Sequence, residues 1–242
     1  MSVPPFNTHH FIKGITMFNK EPFHEPQTIN DIIFGNPESR LRIEDIVSNT
    51  ETIPSCGKSA ILLYGVFGTG KTTLAKMLPN AIEQGKTSED LSLPEEMIAC
   101  QQGFSGPQVM TLIEAILSRS SINASGLHYF IIDEVDNLTK LAQQSLKSAL
   151  NTTRGVFILT TNNLSQLDKG LLDRCVLVEM NAAQASEYLA IANAIVAKTG
   201  IELSESELLP TIQAANGSFR NLFHNVGRLA RRKSLPPPNV IY

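Results

Sequence analysis

Lys71 and Thr72 close the run Gly65-Val-Phe-Gly68-Thr-Gly70-Lys71-Thr72, which fits the pattern GxxxxGK[ST]. Glycines at these positions let the backbone wrap a phosphate chain closely. The N–H groups of the loop, from Gly65 through Gly68, Thr69 and Gly70 to Thr73, then face the negative charge at a helix N-terminus. In such a loop the lysine reaches the β- and γ-phosphates and the Thr72 hydroxyl ligates Mg²⁺. A second group is Phe130-Ile-Ile-Asp133-Glu134, an apolar run ending in two carboxylates. Asp133 is placed to hold Mg²⁺ at a sheet edge beside the loop of the first strand, and Glu134 to polarise an attacking water as general base.

Three further residues have two readings each. Asn162 ends the run Leu159-Thr-Thr-Asn162; it either bonds a γ-phosphate or the lytic water, or begins a loop as Asn163 does. Arg174, in Leu172-Asp173-Arg174-Cys175, is poorly placed to act on its own loop. It reads as an arginine finger for a neighbouring subunit's nucleotide, or as a surface residue paired with Asp173 or Asp168. Arg220, in Gly217-Ser-Phe-Arg220, opens the final helix; it either reaches back to the nucleotide or is solvated.

These residues must be carried by elements, and the hydrophobic pattern supplies them. Five short apolar runs, 60–64, 97–100, 129–132, 156–159 and 176–178, suit buried strands. Helical periods over 72–82, 107–119 and 141–150 alternate with them. That alternation predicts an α/β fold with a five-stranded parallel sheet between helices. Before the first strand, 28–49 reads as a short helix, a turn at Gly35-Asn36-Pro37 and a longer helix. After Glu179 only helical periods remain, over 182–198, 205–215 and 220–232, which predicts a small all-helical domain. The expected divisions are an extended arm over 1–28, the α/β domain over 29–180, the helical domain over 181–233 and a Pro-rich tail over 234–242.

The chain has 242 residues, 42% hydrophobic and 18% charged, with a formal charge of −3. That composition fits a globular protein with a real core and argues against a wholly basic nucleic-acid coat. The three cysteines lack metal-ligand spacing and read as reduced thiols. With no apolar stretch near ~20 residues and no basic-then-apolar start, no membrane partner is expected and a cytoplasmic location is, or a nuclear or viral replication compartment in a eukaryotic host.

Taken in order, these motifs resemble the AAA+ ATPases, and within them the clamp-loader branch. Asp133-Glu-Val-Asp-Asn-Leu-Thr, Ala142-Gln143-Gln144-Ser-Leu146-Lys147, the Thr-Thr-Asn162 strand and Asp173-Arg174-Cys175 are similar to the corresponding blocks of replication factor C small subunits. The segment from Glu25 to Gly35 resembles their N-terminal block, which ends at an adenine-contacting turn, so the resemblance implies Ile33 and Phe34 beside the base. It also implies ATP and Mg²⁺, Lys71 and Thr72 on the phosphates, Asp133 and Glu134 as the Walker B pair, Asn162 as sensor 1, Arg220 as sensor 2 and Arg174 acting in trans. Asp173 stands in place of that family's serine, and Lys147-Ser148 in place of an arginine pair. Nine residues follow Lys233, too few for the family's helical collar, so assembly through AAA+ surfaces alone is the expectation.

The leading function is thus an oligomeric, homo- or heteromeric, DNA-associated ATPase of replication or repair, with a sliding clamp or a replication or recombination protein as partner. Lys140, Lys147, Arg154 and the Arg228/Arg231/Arg232/Lys233 cluster are the basic residues available to DNA phosphates, the last equally a solvated helix face. The alternatives are a helicase loader or a transposition, plasmid or viral replication regulator, and a nucleotide-dependent scaffold or remodelling factor.

Overall fold

The computed structural model describes residues 26–92, 94–100 and 106–234. The arm expected over 1–28 lies outside them up to residue 25, as does the tail beyond residue 234. Five parallel strands form one sheet: β1 (Ala60–Tyr64), β2 (Glu96–Ala99), β3 (His128–Asp133), β4 (Gly155–Thr161) and β5 (Cys175–Glu179), in the order β2-β3-β4-β1-β5. β1, β3 and β4 are buried almost throughout. That is why they read as unbroken apolar runs rather than as alternating ones.

Helices cover both faces. Those before the first crossovers are α1 (Pro37–Val47) and α2 (Lys71–Thr87), followed by α3 (Gly106–Leu117), α4 (Lys140–Ala149) and the short α5 (Lys169–Asp173). On one face Ile61, Leu63, Ile131 and Ile158 pack with Ile43, Leu74 and Leu78 of α1 and α2. On the other, Leu62, Phe130, Phe157 and Leu159 pack with Val109, Ile113 and Leu146 of α3 and α4. Phe130 and Phe157 stack with ring centroids 4.7 Å apart.

The C-terminal helices α6 (Leu189–Ala197), α7 (Glu205–Gln213) and α8 (Phe219–Ser234) enclose a third core of Tyr188, Ala192, Val196, Leu208, Ile212, Leu222 and Val226. The single helix expected over 182–198 is instead a 3₁₀ turn, Ala185–Tyr188, leading into α6. The Tyr188 hydroxyl accepts a hydrogen bond from the Ala183 N–H at 3.1 Å and holds 182–184 out of the helix. Among the described residues no helix is long and apolar enough to cross a membrane.

A candidate nucleotide site at the carboxyl edge of the sheet

β1 ends at the glycine loop, and α2 begins at Lys71 immediately behind it. Gly70, the residue before the helix, has φ of +92°, and Gly68 has φ of +80°. A side chain at Gly68 would also collide with Ser218 of the helical region. Glycine is therefore required there by backbone conformation and by close approach together. The Gly68 carbonyl accepts from the Phe219 N–H at 2.9 Å, which ties the loop to the start of α8.

Lys71 is buried, and its ammonium donates to the carbonyls of Gly65 and Val66 at 2.9 and 2.6 Å. Burial pulls its pKa down to about 8, opposed by the nearby charges of Asp136, Asp133 and Glu134. Thr69 is also buried and donates to the Val66 carbonyl at 3.1 Å, bracing the loop from behind. Gly68, Gly70, Lys71, Thr72 and Thr73 face an open cavity of about 510 Å³. Gly65 and Thr69 shape the loop without lining it.

The acidic side of this cavity is built by strand order. β4 lies between β3 and β1, so Asp133 comes to the loop of the first strand, where the sequence reading placed it, from a strand that is not β1's neighbour. It is reached across β4. The Asp133 carboxylate accepts from the Thr72 hydroxyl at 3.0 and 3.2 Å and from the Thr160 hydroxyl of β4 at 2.5 Å. Thr160 in turn accepts the Glu134 N–H at 2.9 Å. That bond holds Glu134 at φ of +57°, an unfavourable conformation for a side chain larger than glycine's. Glu134 is exposed, lines the cavity, and accepts from Asn137 Nδ2 at 3.1 Å. Among the described residues, one fully buried carboxylate oxygen of Asp136 has no hydrogen-bond partner.

Asn162 and Arg220 also line the cavity, from β4's end and from α8. Their side chains make no hydrogen bond or ion pair among the described residues. The apolar wall consists of Pro26, Ile32, Phe67, Phe219 and Phe223. Ile33 and Phe34, expected at the base, do not line it. The chain is extended at Ile32, so side chains alternate. Ile33 turns to the helical core, and Phe34 follows Ile32 into the sheet-side core one pleat further on. Thr160 and the apolar wall of Pro26, Ile32, Phe67, Phe219 and Phe223 are what sequence reasoning missed. The one signal available was a pair of threonines ending an otherwise apolar strand.

Arg174 is at the opposite edge. Its carbonyl accepts from the N–H groups of Ser59 and Ala60, at the amino end of β1. The five residues of β1 separate it from the glycine loop, roughly 16 Å of strand. It pairs with neither Asp173 nor Asp168: Nε donates to Asn151 Oδ1 at 2.9 Å and Nη1 to the Gly170 carbonyl at 2.8 Å. Asp168 caps α5 and faces Lys147 at 3.7 Å. Of the other basic candidates, Arg154 donates to the Arg119 carbonyl and Lys233 pairs with Glu207.

The family of ATPases associated with various cellular activities (AAA) matches residues 61–181, half of the chain and all five strands save Ala60, the first residue of β1. The chain belongs to the AAA family. This AAA protein is 28% identical over 201 residues to the replication factor C small subunit of Methanosphaera stadtmanae, covering 81% of this chain and 58% of that one. To the replication factor C large subunit of Methanosarcina mazei it is 25% identical, over 87% of this chain and 33% of the relative. It therefore spans little more than half, or less, of these relatives' length. Among solved structures, the Thermotoga maritima RuvB Holliday junction branch migration motor has the same fold, with a TM-score of 0.61 at 17% identity over 87% of this chain and 65% of that one.

Proposed function

We propose that this AAA protein is an ATP-hydrolysing subunit of an oligomeric, DNA-associated assembly of clamp-loader type. Residues 29–180 are read as the nucleotide-binding domain and 181–233 as its lid. The observation that carries the proposal is the convergence of Lys71, Thr72, Asp133, Glu134, Asn162 and Arg220 on one cavity, with Arg174 turned out on the opposite edge. Its resemblance to replication factor C subunits over most of its length supports the DNA-directed role.

The donor set fits Mg²⁺, a hard cation that takes oxygen ligands: a hydroxyl and a carboxylate, Thr72 and Asp133, already meet at 3.0 Å. Among the described residues no cluster of three or more His, Cys, Asp or Glu could hold a metal, which suits an ion carried largely by nucleotide phosphates and water. When bound, Mg²⁺ neutralises charge on the β- and γ-phosphates.

Lys71 leaves its loop carbonyls for the phosphates. Glu134 accepts a proton from water as its oxygen attacks the γ-phosphorus. The bond from that phosphorus to the bridging oxygen breaks, giving ADP and phosphate. Asn162 orients the water or a γ-oxygen, and Arg220 reports the γ-phosphate to the lid through α8. Arg174 of a neighbouring subunit stabilises the charge that develops on the transferred group. Steady-state ATP hydrolysis with and without primer–template DNA tests the reading. DNA is expected to raise the wild-type rate, and Lys71→Ala to abolish it. A rate indifferent to DNA would contradict the DNA-directed part.

A further inference from the structure

Arg174 is held at both its backbone and its side chain, by residues remote from its own nucleotide cavity. Its guanidinium carries five N–H donors in a rigid fork. The bonds from Nε to Asn151 and from Nη1 to the Gly170 carbonyl fix the plane of that fork. Among the described residues Nη2 has no partner, so one edge stays available. Both acceptors are neutral. An acidic partner would orient the side chain equally well but would offset its charge, and the nearby Asp168 is committed to Lys147 and to the α5 N-terminus.

The backbone is braced in parallel. The Lys58 ammonium donates to the carbonyl before Arg174 and to the carbonyl after it, those of Asp173 and Cys175, at 2.9 and 2.8 Å. The Arg174 carbonyl itself is taken by Ser59 and Ala60. The two half-buried cations are thus both held on neutral acceptors, the Lys58 ammonium on the carbonyls that flank Arg174 and the Arg174 guanidinium on Asn151 and the Gly170 carbonyl.

We propose that Asn151 and Lys58 are positioning residues that hold Arg174 pre-oriented, with full charge, for the nucleotide of an adjoining copy. This rests on the reading of Arg174 as acting in trans. A shift of about 1 Å in such a group costs on the order of 100-fold in rate, so the side-chain clip is expected to affect turnover rather than nucleotide affinity.

The test is complementation between two inactive proteins. Glu134→Gln keeps its Arg174 but cannot hydrolyse; Arg174→Ala keeps its own site but lacks the arginine. Mixed, they are active only where the first presents Arg174 to the second. Adding Asn151→Ala to the Glu134→Gln protein is expected to lower kcat of the mixture by roughly 10- to 100-fold, with KM for ATP unchanged. Asn151→Asp, which keeps an acceptor oxygen, recovers part of the loss, and Lys58→Met lowers kcat in the same direction. Nucleotide binding to the altered subunit's own site and its melting temperature are expected to stay as they were. An unchanged kcat overturns the proposal, and a raised one shows that Asn151 restrains the arginine instead of aiming it. If the mixture is inactive even with Asn151 and Lys58 intact, the trans reading itself fails, and this proposal with it.

Discussion

Lys71 sets the pH behaviour of the site. Burial holds its pKa at about 8, well below the usual lysine value of 10.5. The protonated form therefore costs the fold stability below pH 8, and that cost is relieved as pH rises from about 8 to 10.5. Phosphates favour the charged form, so nucleotide binding above pH 8 must take up a proton. ATP affinity is expected to fall by up to about tenfold per pH unit from pH 8 upward. Equilibrium binding across pH 7 to 9.5 checks it: Lys71→Met should bind weakly with no such slope, and a flat wild-type profile would contradict the argument. Thr160 offers a second check. Its hydroxyl serves Asp133 and Glu134 at once, so Thr160→Val is expected to reduce Mg²⁺ affinity or turnover by roughly 10–100-fold, with Thr160→Ser close to wild type. Lys71, Thr72, Asp133 and Glu134 were legible in the sequence because each belongs to a contiguous motif with its own chemistry. Thr160 and Ile32 were not, because their roles follow from which strand lies between β3 and β1 and from the phase of an extended segment. Neither is written locally.

The elements were legible to the extent that their boundaries are apolar. The strands appeared at their positions within a residue or two; four are largely buried hydrophobic runs, whereas β2, at the sheet edge, buries only Ile98 and is otherwise exposed, against the buried strand expected there. α2, expected over 72–82, extends to Thr87. Its extra turns contain Glu83, a fully buried carboxylate that accepts from Tyr129 at 2.8 Å and from the Ser125 N–H at 2.8 Å. No hydrophobic period announces a buried acid whose partners come from β3 and the loop before it. The same turns bring α2 against the end of α1: a side chain at Gly85 would collide with the Val47 carbonyl. Gly85→Ala is an exposed-helix substitution by propensity alone, and would then gain about 1 kcal/mol. Here the backbone contact decides the sign, and a net loss of about 1–3 kcal/mol is expected. A lower urea midpoint with an unchanged m-value would show it; a higher midpoint would refute the close packing of these helices.

At the scale of the whole molecule, the sheet separates the nucleotide cavity from the arginine proposed to act in trans. The phosphate loop and the acids lie at its carboxyl edge, and Arg174 at its amino edge. On the proposed reading, a residue that far from its own nucleotide completes another copy's site, through a head-to-tail contact of the kind that generates rings, spirals or filaments. That is the central claim, and it has a direct consequence for the order of the reaction in protein. The measurement is the specific rate of ATP hydrolysis as a function of protein concentration, for wild type beside Arg174→Ala. The wild-type rate per subunit is expected to climb with concentration and level off, while Arg174→Ala stays near background throughout and still binds ATP. A wild-type rate per subunit that is independent of concentration, or an Arg174→Ala protein that matches it, would contradict the shared site.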